Sequence, residues 1–295
     1  MKTILLSLPG NEVLTSLLSK HMHAAVGEVV MRQFPDGETY VRIRSDVTDA
    51  NVVLVCTLRR PDEKLLPLYF LSKTARSLGA KRICLVAPYL AYMRQDTIFN
   101  PGEGVTSKYF GDLISDFADS IVTVEPHLHR ISSLGDVYPI PSRIVRATGE
   151  ISMWITEHVT DPVFIGPDSE SEQWVRDVAE RTHAPCIVLQ KIRRGDRDVE
   201  ISIPDIHRYT NHTPVLVDDI ISTARTMIAT VGHLKKSGSP PPVVVGVHAV
   251  FAGNAYQELM DAGPKEVVTC NTIPHTSNGI DLSRVIAEQV TEMVT

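Results

Sequence analysis

Two adjacent carboxylates follow an apolar run in the stretch VLVDDIISTARTM, residues 215–227. Asp218 and Asp219 end a predicted buried strand, and small hydroxyl residues lead from there into a predicted helix. In open α/β sheets, ligands bind beyond the carboxyl ends of the strands, where the unpaired N–H groups of the next helix attract anions. We therefore predict a phosphate-binding loop there. Its five residues are Ser222, Thr223, Ala224, Arg225 and Thr226.

The two carboxylates have more than one interpretation. They can hold the hydroxyl groups of a ribose beside the bound phosphate, or they can hold a hydrated Mg²⁺ ion. A plainer interpretation is that an Asp caps the following helix and binds no ligand. This stretch alone leaves the alternatives open.

The composition limits the class of protein. The chain has 295 residues, 43% hydrophobic and 22% charged, which is typical of a soluble protein with one or two domains. No apolar run approaches the roughly 18 residues of a membrane span, and Pro9 and Gly10 interrupt the short apolar stretch at the N-terminus. The net charge of −6, without a basic stripe, does not indicate nucleic-acid binding. We expect neither a membrane nor a nucleic acid as a partner.

The four cysteines indicate a reducing compartment. Cys56, Cys84, Cys186 and Cys270 lie in or beside apolar runs, and none forms a CxxC pair. We therefore expect buried reduced thiols rather than disulfides or a zinc site, which favours a cytoplasmic location.

Short β-rich runs alternate with segments of helical period. Most of the runs are continuous in Val, Ile and Leu, as in parallel strands covered on both faces. They cover residues 3–8, 51–58, 82–89, 120–126, 162–168, 186–190, 214–219, 243–251 and 266–271. The run 39–44 alternates instead and predicts a half-buried antiparallel strand. The predicted helices cover 11–22, 63–78, 105–118, 147–159, 171–182, 223–236 and 254–261. This alternation predicts an α/β fold with parallel sheets.

A proline-bearing connector divides the chain near residues 140–150. The alternation of strands and helices restarts after it, and each half has a strand that ends in Pro-Tyr or Pro-Asp. We predict an N-terminal domain over 1–146 and a similar C-terminal domain over 147–295. Whether the last residues pack back on the N-terminal domain is left open.

The stretch at 215–227 resembles the phosphoribosyl-pyrophosphate (PRPP) motif, which type I phosphoribosyltransferases share with ribose-phosphate pyrophosphokinases. Other segments resemble the pyrophosphokinases alone, in order along nearly the whole chain. They are FPDGETYVRI (34–43), APYLAYMRQD (87–96), VTSKYFGDLI (105–114), TVEPHLHR (123–130), GPDSESEQWV (166–175), LQKIRRGDRDVEI (189–201) and VVTCNTIPH (267–275). The chain thus resembles a divergent ribose-phosphate pyrophosphokinase. The resemblance implies two type I phosphoribosyltransferase-like domains, each a mainly parallel sheet flanked by helices.

The resemblance assigns the FPDGE segment to ATP. Phe34 offers an aromatic face to the purine, while Asp36 and Glu38 can accept hydrogen bonds from its exocyclic amine. In the family this loop comes from a neighbouring subunit, which implies a homo-oligomer with the nucleotide site at a subunit interface. On the residues alone, a simple turn before the next strand is the favoured alternative.

The resemblance also assigns three strand-end segments to ATP and to the metal ion. Arg94 and Gln95 would bind the nucleotide, and Arg94 can hold a phosphate in a bidentate fork. His127 would help to hold Mg-ATP, and Asp168 would be a second Mg²⁺ ligand. The alternatives are a solvated polar turn, a structural histidine and a helix cap, respectively.

Lys191 and Arg193 are the implied catalytic residues. Transfer of a diphosphoryl group places charge on phosphate oxygens and on the departing AMP, so cations on a closing loop can stabilise the transition state. Arg194 is an alternative to Arg193. A solvated surface loop with charges of both signs is the alternative for the whole segment.

Some positions depart from the family pattern. The glycine pair expected after Pro-Asp is replaced within 169–172, Thr97 stands where an Arg is expected after Asp96, and Ala224 with Arg225 stands where a glycine is common.

These observations predict a Mg²⁺-dependent ribose-phosphate diphosphokinase that uses ATP and ribose 5-phosphate and forms PRPP and AMP. A phosphoribosyltransferase that consumes PRPP is one alternative, but it leaves the FPDGE and YMRQD segments without a task. The other alternative is a pyrophosphokinase-like regulatory subunit that binds nucleotide without turnover.

Overall fold

The chain divides into two compact units. The computed structural model describes residues 2–128, 130–166, 172–188, 190–193, 199–202 and 206–295. The first unit contains Met1–Val145, Thr272–Pro274 and Leu282–Thr295, and the second contains Arg146–Asn271 and His275–Asp281. Each unit is built around its own parallel sheet.

The elements follow one another as strands and helices in alternation. The strands are β1 (Thr3–Ser7), β2 (Ala25–Val26), β3 (Val29–Gln33), β4 (Thr39–Ile43), β5 (Asn51–Val55), β6 (Arg82–Ala87), β7 (Ser120–Val124), β8 (Ser142–Val145), β9 (Pro162–Gly166), β10 (Cys186–Val188), β11 (Gln190–Arg193), β12 (Val199–Ser202), β13 (Thr213–Ile221), β14 (Val243–Ala249), β15 (Glu266–Cys270) and β16 (Asn278–Ile280). The helices are α1 (Glu12–Met22), α2 (Asp62–Ser77), α3 (Thr106–Ser115), α4 (Thr148–His158), α5 (Glu172–Arg181), α6 (Arg225–Lys236), α7 (Ala255–Ala262) and α8 (Ser283–Val294).

The first unit has a six-stranded parallel sheet in the order β2-β1-β5-β6-β7-β8. Every residue of β5 and β7 is buried, as expected for strands covered on both faces. The separate strands β3 and β4 form an antiparallel hairpin in which Arg32 lies opposite Tyr40.

The last helix of the chain completes the first unit. It packs against α1 and against β6, β7 and β8. Its carbonyl at Val294 accepts a hydrogen bond of 2.6 Å from the buried side chain of Asn51. The C-terminal residues therefore cover a face of the sheet that begins at residue 3.

The second unit has a six-stranded parallel sheet in the order β10-β9-β13-β14-β15-β16. All residues of β14 are buried, and β13 is the longest strand of this sheet at nine residues. A second hairpin, formed by β11 and β12, pairs Lys191 with Ile201.

The structure confirms the predicted α/β architecture with parallel sheets and adds elements that were missed. The seven predicted helices are all present, and the run 39–44 is antiparallel. The helix α8 was not predicted, although Ile286, Val290 and Val294 lie four residues apart and are buried. The strand β8 lies in the stretch predicted to be a connector, which is a correction, because a four-residue edge strand is defined by its pairing with β7 rather than by a continuous apolar run.

Among the described helices, none combines the length and the apolar character that crossing a membrane requires.

Three of the four thiols are buried and one is half-buried, which predicts the order in which they react. Cys56, Cys84 and Cys270 are at most 1% exposed, and burial raises the pKa of Cys56 to about 12 and that of Cys84 to about 11. Cys186 is half-buried. Since the thiolate is the reactive form, we expect a thiol reagent at pH 8 to modify Cys186 first.

Mass spectrometry of briefly treated protein measures the order of modification, and Cys186→Ser should lose the early product. In denaturant all four thiols should react. Modification of Cys84 ahead of Cys186 would contradict the prediction.

Candidate active site

The carboxyl ends of β6 and β7 bring two predicted nucleotide-binding segments together. The two strands are parallel neighbours, with Leu85 paired to Ile121, so the segments that follow them leave the same edge of the sheet. The amide of Val124 also donates a hydrogen bond of 3.2 Å to the carbonyl of Pro88. The stretch that contains Arg94 and the stretch that contains His127 are therefore adjacent.

An ion pair joins these two segments beyond Arg94 and His127. A guanidinium nitrogen of Arg130 lies 3.3 Å from a carboxylate oxygen of Asp96. The Asp96 side chain is only 2% exposed, while that of Arg130 is 55% exposed. The Arg130 guanidinium also lies 5.4 Å from the centre of the Phe99 ring. A buried carboxylate needs a compensating cation, so this pair fixes one segment against the other.

Gln95 is anchored to the start of α3. Its side-chain oxygen accepts a hydrogen bond of 2.9 Å from the Thr106 hydroxyl, and its carbonyl accepts one of 3.3 Å from the Ser107 amide. Arg94, the preceding residue, is exposed. The arrangement holds the backbone in place while the Arg94 guanidinium remains accessible to an anion.

His127 is half-buried and follows a constrained backbone position. Two residues earlier, Glu125 is 5% exposed and has a φ of 33°, and its amide donates to the carbonyl of Val145. A positive φ is unusual for a residue with a side chain and is held here by the surrounding packing. This turn directs the chain from β7 to His127.

The predicted purine-binding residues lie at the tip of the β3–β4 hairpin. The amide of Phe34 donates to the carbonyl of Glu38 at 2.8 Å, and the amide of Glu38 donates to the side chain of Asp36 at 3.3 Å. The turn that was the alternative interpretation is therefore present. The Phe34 ring is 40% exposed, and the Arg32 guanidinium stacks on it and on the Tyr40 ring, 4.7 and 4.4 Å from the ring centres.

In the second unit, β13 continues further than predicted. Asp218 and Asp219 were expected at the end of the strand, but β13 ends at Ile221 and both carboxylates lie within it, half-buried. The extension is set by β14, since Ile220 pairs with His248 beyond the two carboxylates. The loop after β13 is correspondingly short.

This short loop contains Ser222, Thr223 and Ala224, and α6 begins at Arg225. Ala224 is 7% exposed and has left-handed backbone angles, φ 56° and ψ 8°. Arg225 and Thr226 lie in the first turn of α6, where backbone N–H groups lack partners within the helix. The segment thus has the form of an anion-binding strand–loop–helix.

The predicted catalytic residues lie on a strand rather than in a loop. Lys191 and Arg193 belong to β11, which pairs with β12. Cα atoms of β12 and α6 lie within 8 Å of each other, so this hairpin is next to the helix that starts at the phosphate loop. The side chains of both residues, and all of Arg194, lie outside the described residues.

Candidate donors for a divalent metal ion lie in each of the two units. Mg²⁺ is usually bound by one or two carboxylates, substrate phosphates and water. Asp218 and Asp219 supply carboxylates of this type, and His127 supplies an imidazole. The other predicted ligand, Asp168, lies outside the described residues, and among those that are described no three His, Cys, Asp or Glu side chains form a cluster suited to a metal. The carboxylates of Asp218 and Asp219 fit an ion shared with a phosphate ligand.

The parallel sheets, together with the strand–loop–helix from Asp218 to Thr226, define an α/β protein of the phosphoribosyltransferase type. Two protein-family models match the chain and agree with this class. The model of the phosphoribosyl transferase domain matches residues 137–284, and the model of the N-terminal domain of ribose phosphate pyrophosphokinase matches residues 3–117.

Relatives match over most of their length. A ribose-phosphate pyrophosphokinase of Methanobrevibacter smithii is 31% identical over 271 residues, which cover 88% of this chain and 90% of the relative. One of Saccharolobus solfataricus is 32% identical, covering 92% and 94%, and one of Halobacterium salinarum is 30% identical, covering 97% and 99%. The chain belongs to the ribose-phosphate pyrophosphokinase family.

A solved structure shows the same fold. The phosphoribosylpyrophosphate synthetase from Mycobacterium smegmatis superimposes with a TM-score of 0.85 over 99% of each chain, at 23% identity. This likeness confirms the prediction of two phosphoribosyltransferase-like domains. The roles of individual site residues stay predictions.

Sequence reasoning missed Arg130 and Arg32. Arg130 stands three residues after His127, and Arg32 stands two residues before Phe34, so each lies next to a predicted binding residue. No local pattern pairs Arg130 with Asp96, which is 34 residues away, whereas the contact of Arg32 with Tyr40 follows from the register of the β3–β4 hairpin.

The Asp96–Arg130 pair gives a second prediction. Arg130→Ala leaves the buried carboxylate of Asp96 without this cation, and we expect a loss of about 1–3 kcal/mol in the free energy of unfolding. Arg44→Ala is the control, since the Arg44–Glu28 pair is exposed on both sides (49% and 60%). The control should cost less than about 0.5 kcal/mol.

Urea denaturation measures both losses. Adding Asp96→Asn to Arg130→Ala should recover part of the stability, because the buried charge is removed. Equal losses for Arg130→Ala and Arg44→Ala would show that the pair does not stabilise the segment.

Proposed function

We propose that this chain transfers the β,γ-diphosphoryl group of ATP to the 1-hydroxyl of ribose 5-phosphate, giving PRPP and AMP. The observation that supports the proposal is that one chain contains both a phosphate-binding motif and the N-terminal domain of the pyrophosphokinases. The second unit has the phosphate-binding strand–loop–helix, and the first unit matches the N-terminal domain of the pyrophosphokinases over residues 3–117. A phosphoribosyltransferase would need only the former.

Ribose 5-phosphate binds to the second unit in this proposal. Its 5-phosphate occupies the loop from Ser222 to Thr226, where backbone N–H groups and the positive end of the α6 dipole favour a dianion. The carboxylates of Asp218 and Asp219 accept hydrogen bonds from the ring hydroxyls. The loop therefore binds the phosphate of the sugar phosphate, and the two aspartates bind its hydroxyl groups.

ATP binds to residues of the first unit. Arg94 contacts the phosphates, Gln95 holds the segment to α3, and His127 contacts the nucleotide at the end of β7. The exposed Phe34 ring stacks on a purine, with Asp36 and Glu38 near its exocyclic amine. Phe34 lies exposed at the tip of a hairpin that is separate from the six-stranded sheet, which suits a contact to a neighbouring subunit, and we propose a homo-oligomer on this basis.

The reaction is an in-line displacement at the β-phosphorus. The 1-hydroxyl oxygen forms a bond to that phosphorus, the bond to the oxygen bridging the α- and β-phosphorus breaks, and AMP departs with that oxygen while the hydroxyl proton is released. Lys191 and Arg193, on β11, stabilise the charge on the phosphate oxygens and on the departing AMP.

The metal ion is proposed to be Mg²⁺, and His127 and Asp168 would each supply it a protein donor beside the phosphates of ATP. When bound, Mg²⁺ neutralises phosphate charge. The reduced thiols and the small anionic substrates suit a cytoplasmic enzyme, which we propose as its location.

A turnover assay tests the function. Purified protein is mixed with ATP, MgCl₂ and ribose 5-phosphate, and AMP and PRPP are quantified by chromatography. Formation of both in equal amounts is expected. Nucleotide binding without any AMP would indicate a regulatory subunit instead, and pyrophosphate release from PRPP that depends on an added base would indicate a phosphoribosyltransferase.

Lys191→Ala gives a third prediction. The variant should lose roughly 2–4 kcal/mol of transition-state stabilisation, because electrostatic contributors at reacting phosphates have effects of this size. Binding of ATP should persist, since the lysine acts on charge that develops during the reaction.

Lys236→Ala removes an exposed lysine at the end of α6 and is the matched control, which should keep wild-type turnover. Single-turnover rates and equilibrium binding of ATP separate the two effects. A Lys191→Ala variant with the rate of the control would remove Lys191 from the mechanism.

A further inference from the structure

The segment that follows β14 lies directly against the phosphate loop. The amide of Phe251 donates a hydrogen bond of 2.9 Å to the carbonyl of Ile221, and the amide of Ala252 donates one of 3.0 Å to the carbonyl of Ser222. Two successive carbonyls at the start of the loop are therefore held by one neighbouring segment.

These two hydrogen bonds decide which way the loop amides point. In a planar trans peptide the C=O and the following N–H point in opposite directions, and the described chain contains no cis peptide bond. Because the carbonyls of Ile221 and Ser222 point toward residues 250–252, the N–H groups of Ser222 and Thr223 point to the opposite side. That orientation is what an anion-binding loop requires.

Phe251 holds this segment in an unusual conformation. Its φ is 36°, a left-handed value that is costly for a residue with a side chain, and its ring is only 4% exposed. The ring belongs to the same apolar core as Ile221 and Ala224. The strain persists because the ring is held in place by its neighbours.

Two further rings complete what we name the aromatic anchor, which consists of Phe251, Tyr256 and His275. Each pair of rings lies within 5.1 Å between centres, at 5.1, 4.7 and 4.7 Å. The His275 ring nitrogen Nδ1 is 2.8 Å from the hydroxyl oxygen of Ser277. The backbone amide of His275 donates a hydrogen bond of 2.9 Å to the side-chain oxygen of Asn278. The anchor is thus tied to the turn before β16.

We propose that Phe251 is a positioning residue for the phosphate loop, and that Tyr256 and His275 hold its ring so that the backbone at 251–252 fixes the direction of the loop amides. The identity of the ligand, a sugar phosphate, rests on the proposed function. The anchor itself contacts no substrate in this proposal and acts only through the loop.

Phe251→Leu tests the proposal, with Phe117→Leu as the matched control. Phe117 is 3% exposed and also has an edge-to-face aromatic neighbour, Tyr69 at 5.6 Å, but it lies in the first unit. We expect Phe251→Leu to raise the KM and the Kd for ribose 5-phosphate about tenfold and to leave the KM for ATP within about twofold. Phe117→Leu should raise neither selectively.

A second pair of variants keeps the test decisive if Phe251→Leu does not fold. His275 is half-buried, and His275→Phe keeps a ring beside Phe251 whereas His275→Ala does not. His275→Ala should weaken ribose 5-phosphate binding, and His275→Phe should restore it. Equal Kd values for these two variants would overturn the proposal, as would equal effects of Phe251→Leu and Phe117→Leu.

Calorimetric titration with ribose 5-phosphate separates this inference from the proposed function. If the protein binds the sugar phosphate but forms no PRPP, the proposed function fails, and the Kd values of the variants still decide the inference. If PRPP is formed and the anchor variants bind ribose 5-phosphate normally, only the inference fails. Absence of any binding would overturn both.

Discussion

Parallel pairing of buried strands sets where both candidate sites of this protein can form. Since every strand of each six-stranded sheet runs the same way, all their carboxyl ends lie at one edge, and the segments that leave them are neighbours. The stretches with Arg94 and His127 meet because β6 and β7 are adjacent. The phosphate loop meets residues 250–252 because β13 and β14 are adjacent. Both sites follow from strand order.

At the carboxyl-end edge of each sheet, buried side chains hold the backbone in place. The side chains suited to binding a ligand remain exposed. The side chain of Asp96 is buried and Arg94 is exposed, two residues apart on one segment. In the second unit, Ala224 and Phe251 are buried in one apolar core, whereas Thr223 and Arg225 are exposed. A rigid backbone with accessible polar groups suits phosphoryl transfer, in which orientation and charge stabilisation are the main contributions of the protein.

The structure shows the surroundings of two positions that depart from the family pattern, Ala224 and Thr97. Ala224 stands where a glycine is common and adopts left-handed angles, a conformation that costs a residue with a Cβ about 1–2 kcal/mol. Ala224 is buried in the same apolar core as Met227 and Phe251, which offsets part of that cost. Arg130, opposite Asp96, places a cation near the segment where Thr97 replaces an expected arginine. The packing around Ala224 therefore accommodates the residue that stands in place of the common glycine.

By itself, the sequence determined the α/β class, the parallel strands and the candidate loop, because continuous Val/Ile/Leu runs and the Asp218–Asp219 stretch are local signals. Which distant residues meet depends on packing in three dimensions. The tertiary structure extended β13 past the two carboxylates through its pairing with β14, placed α8 in the first unit, paired Asp96 with Arg130, and brought His275 to Phe251. Contacts of this kind depend on strand order and packing, which no local pattern of residues encodes.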